Sequence, residues 1–68
     1  MTAREWIDAF AARLGVEAPE QATLDALLEL AGTAAHASER IAAPIACYLV
    51  GLARADLEAA SRMAEEIG

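Results

Sequence analysis

The sequence predicts an all-α protein, a compact three- to four-helix bundle forming one domain over residues 1–68. Three observations carry that expectation. Apolar residues recur at spacings of three and four along each segment, the period of a one-sided helix. Capping residues and helix breakers punctuate the chain where those patterns start and stop. No stretch alternates apolar and polar residues as a half-buried strand would, and no internal repeat is present.

The first helix is predicted over 3–14. Thr2 followed three residues later by Glu5 forms a capping box, in which each side chain satisfies a backbone N–H left orphaned at a helix start. Ala3, Trp6, Ile7, Phe10 and Leu14 fall on one face, and Arg4, Glu5, Asp8 and Arg13 on the other. Gly15 then stops the helix, since a left-handed residue after the last turn costs least without a Cβ. Val16 to Gln21, with Pro19, reads as a connector.

A second helix is expected over 24–37, capped by Thr23, with Asp25 complementing the positive end of the helix dipole. Leu24, Leu27, Leu28, Ala31 and Ala35 make its expected buried stripe. Pro44 belongs in the first turn of a third helix over 44–54, where its missing N–H is not needed and its φ already suits the helix. Ile41, Ile45, Tyr48, Leu49 and Leu52 define one face of that helix. Its other side, Ala43, Ala46, Cys47, Val50 and Gly51, is apolar too. A helix apolar all round is either central to the bundle or shared with another subunit.

Asp56 can cap a fourth helix over 56–67 that turns Leu57, Ala60, Met63, Ala64 and Ile67 inward and Glu58, Arg62, Glu65 and Glu66 outward. The alternative is that helices three and four are one bent helix. At 100° per residue their stripes are offset by roughly 75°, which favours a bend or break.

Composition narrows the function. With a net charge of −6 and five basic residues, all Arg, the chain lacks the cationic surface that phosphate neutralisation requires, so nucleic acid is not an expected partner. Cys47 stands alone, inside an apolar run where a thiol behaves as a small hydrophobe, which fits a reducing cytoplasm. Glu5 and Asp8 interrupt the N-terminal apolar residues, so no signal peptide is expected. The apolar run from Ile41 to Ala53 is shorter than the roughly 18 to 20 residues that span a bilayer, and no membrane partner is expected either.

Few residues offer chemistry. His36 and Cys47 could both ligate zinc, but a structural zinc wants four ligands and no third or fourth soft ligand exists in the chain, so no metal site and no cofactor are expected. A Cys–His nucleophile pair fails because nothing places the two together, and no catalytic residue is assigned. His36 in the last turn of its helix can bond free carbonyls and complement the dipole. Glu39 and Arg40 read as a solvated pair. Tyr48 reads as a packing residue with one hydrogen bond. Trp6 and Phe10 could anchor a partner, but with so few aromatics in the chain core packing is the preferred use. The rival reading gathers His36, Arg40 and Tyr48 around a cleft near the turn between the second and third helices, with Arg40 meeting an anionic, nucleotide-like ligand.

The pattern of Glu5, Trp6 and Ile7, then Leu14–Gly15–Val16, Leu24 to Leu30, and Ala35–His36 with Arg40, Ala42–Ala43–Pro44 and Tyr48 to Ala53 resembles a small actinobacterial helical domain of unknown function. That domain is found alone or appended to MobA-like molybdenum cofactor guanylyltransferases. The segment from His36 to Pro44 is the most distinctive part. Here Ala37 follows His36 where the family favours Gly, and Ala53–Arg54–Ala55–Asp56 stands where it favours a Gly-rich or Asp-Pro linker. The resemblance implies association with molybdenum cofactor biosynthesis without the guanylyl transfer itself, whose nucleotide-binding loops are absent from this sequence.

The expected function is therefore a non-catalytic helical accessory module of the cytoplasm, acting through protein contacts. Its expected partners are a molybdenum cofactor guanylyltransferase-type protein and further copies of itself, a dimer being favoured. A domain this small buries a modest fraction of its surface, and self-association adds burial. The third helix supplies the expected interface through Ile45, Ala46, Leu49 and Val50.

Overall fold

A computed structural model describes residues 1–67, and among them the chain forms four α-helices: α1 (Ala3–Leu14), α2 (Gln21–Ala37), α3 (Ala42–Ala53) and α4 (Leu57–Ile67). The fold class is the one the sequence predicts.

Local chemistry sets the ends. Thr2 and Glu5 close the capping box: the Glu5 N–H donates to Thr2 Oγ1 (3.1 Å) and the Thr2 N–H to Glu5 Oε1 (2.7 Å). Gly15 ends α1 at φ 80°. Its N–H reaches the Ala12 carbonyl (3.2 Å) and that of Val16 reaches Ala11 (3.0 Å), the paired closure of a Schellman motif. The end of α3 repeats this geometry. There the N–H groups of Arg54 and Ala55 donate to the carbonyls of Gly51 and Val50, both at 3.2 Å, and Arg54 takes the left-handed position at φ 53° without being glycine. Asp56 then caps α4, its Oδ2 accepting from the Ala59 N–H (3.0 Å). Helices α3 and α4 are thus two helices, not one bent helix.

Four expected boundaries move. The second helix starts at Gln21 and not at Leu24. Glu20 holds the extended cap conformation without a side-chain bond, and Gln21 Nε2 donates to Asp25 Oδ1 (2.9 Å) across the first turn, so Thr23 lies inside the helix. The third helix starts at Ala42 instead of Pro44, because N–H groups of Ala42 and Ala43 bond the carbonyls of Glu39 (2.9 Å) and Arg40 (3.1 Å) in the turn before it. Pro44 still falls in the first turn. The third helix ends at Ala53, with Arg54 as its cap, and the fourth begins at Leu57 after its Asp56 cap.

Helix α2 is central, with α3 and α4 both packed closely against it. The expectation that the third helix is either central or shared therefore loses its first branch. Being flanked on two sides, α2 buries an arc wider than a single stripe. Leu30, outside the expected stripe, is the deepest residue at 2% exposure, while Leu28, inside it, is exposed. The other buried apolar residues are Ala11 and Ala60. On α1 the inward face is Ile7 and Ala11 with half-buried Arg4, whose Nε pairs with Asp8 (3.2 Å), so Arg4 does not belong to the outer face. On α4, Leu57, Ala60 and Ala64 turn inward, but Met63 and Ile67 do not.

Small contact residues leave a large surface. The chain exposes 5393 Å², whereas a typical folded monomer of 7.1 kDa exposes about 4,100 Å². The radius of gyration, 12.4 Å, likewise exceeds the about 11 Å typical of this length. Among the described residues no helix is long and apolar enough to cross a membrane.

Two predictions follow from the packing and the caps. Leu30→Ala should cost roughly 2–5 kcal/mol, comparable to the whole stability of a chain this size, so urea titration should find it largely unfolded, while Leu28→Ala stays within about 0.5 kcal/mol of wild type. Accepting the Thr2 backbone N–H, and then the Thr2 side-chain bond, holds the Glu5 carboxyl below its ordinary value of 4.5. Since the folded pKa is the lower one, the cap stabilises fully above the unfolded value and is lost as pH falls through the folded value. Acid should therefore fray the first turn of α1, read from the Cα chemical shifts of Ala3 to Trp6. In Glu5→Ala the fraying should be present at neutral pH and independent of it.

Candidate interaction surface

Helix α3 meets α2 with its small side. Ala42, Ala43, Ala46, Cys47 and Val50 are half-buried there, and the Cys47 thiol lies 4.0 Å from the Leu27 carbonyl as a weak donor. Small side chains let two helices approach closely. The consequence is that the bulky side turns away. Ile41, Ile45, Tyr48 and Leu52 are between 57% and 72% exposed, and Leu49 beside them is open as well. No residue of α3 from Ala42 to Ala53 carries a charge, and the Tyr48 hydroxyl is the polar side-chain group on this face.

Of the four interface residues expected from sequence, Ile45 and Leu49 lie on the open face, while Ala46 and Val50 are half-buried toward α2. The groove between α3 and α4 joins both sets. Its lining includes Ala46, Leu49 and Val50 from α3, Met63 and Ile67 from α4, and Leu30 of α2. Met63 and Ile67, expected inside, instead edge this groove and remain exposed. Sequence periodicity placed them on the apolar stripe of α4 correctly but could not say that the stripe is wider than the contact with α2.

A second apolar surface lies on α1. The rings of Trp6 and Phe10 stack with centroids 4.9 Å apart and planes tilted by 30°. They are 55% and 49% exposed, which overturns the expectation that they pack in the core. Met1, Ala9 and Arg13 complete a hollow around them. The reason is rotational: Ile7 and Ala11 take the inward direction, and Trp6 and Phe10 sit to one side of it.

The polar candidates are dispersed. His36 lies exposed in the last turn of α2 and lines a hollow with Thr33, Ala37, Ala64 and Glu65. Neither Arg40 nor Tyr48 lines that hollow. Arg40 is exposed in the turn before α3, and Tyr48 is on the open α3 face. Among the described residues, no three His, Cys, Asp or Glu side chains gather as a metal ion would require. The acidic residues of α4 face solvent, Glu58 paired with Arg62 at 3.3 Å, an exposed pair worth little.

What the geometry offers among the described residues is exposed apolar area on short helices. No curated protein and no solved structure matches this chain. A family model described as "Domain of unknown function (DUF6457)" matches residues 1–68, and the protein belongs to that family.

Proposed function

We propose that this protein is a non-catalytic interaction module of the cytoplasm that works by covering its open apolar surface with protein. The observation that supports this most directly is the orientation of α3, small side inward and bulky side outward. Solvated aliphatic and aromatic side chains on neighbouring helix turns form the kind of contiguous patch that marks interaction sites. The acidic residues of α2 and α4 keep such a chain soluble while the patch waits for a partner.

The resemblance of the segment from His36 to Pro44 to the domain appended to MobA-like enzymes supports a place in molybdenum cofactor biosynthesis, with a guanylyltransferase-type protein as partner. In that setting the module contributes contacts and the enzyme the guanylyl transfer. A ligand cleft built from His36, Arg40 and Tyr48 gains no support from their placement, because His36 opens onto a hollow that the other two do not line.

Sedimentation velocity tests the reading. The chain should form a larger species at high micromolar concentration, or co-sediment with a molybdenum cofactor guanylyltransferase at equimolar ratio. If it does neither, the module reading fails. Guanine nucleotides and pterins should leave the melting temperature unchanged. A shift that disappears in the combined His36→Ala and Arg40→Ala variant would favour the ligand cleft instead.

A further inference from the structure

Little joins α1 to the rest of the chain. Among the described residues, every hydrogen bond and ion pair made by residues 1–16 stays within that segment: the Thr2–Glu5 capping box, the Arg4–Asp8 pair and the closure at Gly15 and Val16. The connector residues Glu17, Ala18 and Pro19 make no backbone hydrogen bond. Helix α2 packs closely with α3 and with α4, and α1 has no comparable contact with any helix.

Apolar burial under α1 is small as well. Of its large apolar side chains, Ile7 is half-buried while Trp6, Phe10 and Leu14 are exposed, and Ala11 is the buried residue of the helix. The inward face also carries a cost. Arg4 lies on the same face as Ile7 and Ala11, and its Nη1 is shut off from water with no hydrogen-bond partner. A donor desolvated in this way weakens the contact that desolvates it.

We propose that α1 is a lid on the body formed by α2, α3 and α4, opening as one unit about the connector at Glu17, Ala18 and Pro19 far more often than the body unfolds. Opening breaks no hydrogen bond between α1 and the body, and it gives up only the cover of Ile7, Ala11 and the Arg4 stem. Proteins open in cooperative units of unequal stability, and those with few buried apolar contacts open first. Off the body, a helix of 12 residues is marginal in water, so each opening releases its amides together. The open form bares Ile7 and Ala11 with the surface they cover, and a partner that takes that surface must displace α1. This inference does not rest on the interaction-module reading.

Native-state hydrogen exchange, followed by NMR on the full chain at low urea concentrations, tests the lid. Amides from Ile7 to Leu14 should share one opening equilibrium, roughly tenfold or more above that of the α2 amides around Leu30, with a weaker urea dependence because less surface is exposed. Val50→Ala, a change in the body beside Leu30, should speed exchange in α2 several-fold and leave α1 opening unchanged. Arg4→Met keeps the aliphatic stem and removes the desolvated guanidinium, while its solvent-open pair with Asp8 contributes little. It should make α1 opening about fivefold rarer. A common opening constant and urea dependence for α1 and α2 overturns the lid, as does Val50→Ala raising exchange equally in both. Opening of α1 that is as frequent or more frequent in Arg4→Met overturns the cost assigned to Arg4.

Discussion

The contact of α2 with its two flanking helices is made largely by alanine, and the rest of the structure depends on that choice. Ala42, Ala43 and Ala46 on α3 and Ala60 and Ala64 on α4 bring the helices close, but each removes little apolar area from water. Leu30 is the one large side chain fully enclosed by this arrangement. With nineteen alanines in 68 residues, the helices can be drawn together without using their bulky residues. Those residues are then left on the outside. The open α3 face, the edges of the α3–α4 groove and the aromatic pair on α1 are three results of a single packing decision.

Such a core is thin, so local devices have to define the fold. Reciprocal capping at Thr2 and Glu5, left-handed closures at Gly15 and Arg54, and the Asp56 cap fix where helices begin and end. These bonds involve residues three to five apart, and they form without help from distant parts of the chain. Helix direction is set locally, and the shallow contacts need only choose among a few ways of laying the helices against α2.

This division explains what could be read in the sequence. The capping box, the Gly15 stop, Pro44 in a first turn and the Asp56 cap were legible because each is a short-range rule. The start of α2 was not, because Thr23 is a good capping residue and Glu20 a poor one. The chain nevertheless begins the helix at Gln21, where the connector containing Pro19 ends. Which side of each helix faces inward was harder still. The periodicity of α1 allows Trp6 and Phe10 to be core residues, and only the arrangement of neighbours turns Ile7 and Ala11 inward instead. For α3 the sequence displayed both sides, one bulky and one small, without saying which would meet α2. Patterning by hydrophobicity favours the bulky side, but close approach to α2 selected the small one.

From that selection follows the functional character of the surface. Had α3 packed through Ile45 and Tyr48, the exterior would have been alanine and glycine, with little to offer a partner. Packed as it is, the helix presents bulky apolar side chains on an uncharged helix, and an interface built on a helix is better positioned than one on a loop. Acidic residues crowd the outer faces of α2 and α4, where contact between two copies of the same chain would bring carboxylates together. The same packing that leaves this protein with a thin core thereby defines the apolar surfaces through which it can be completed.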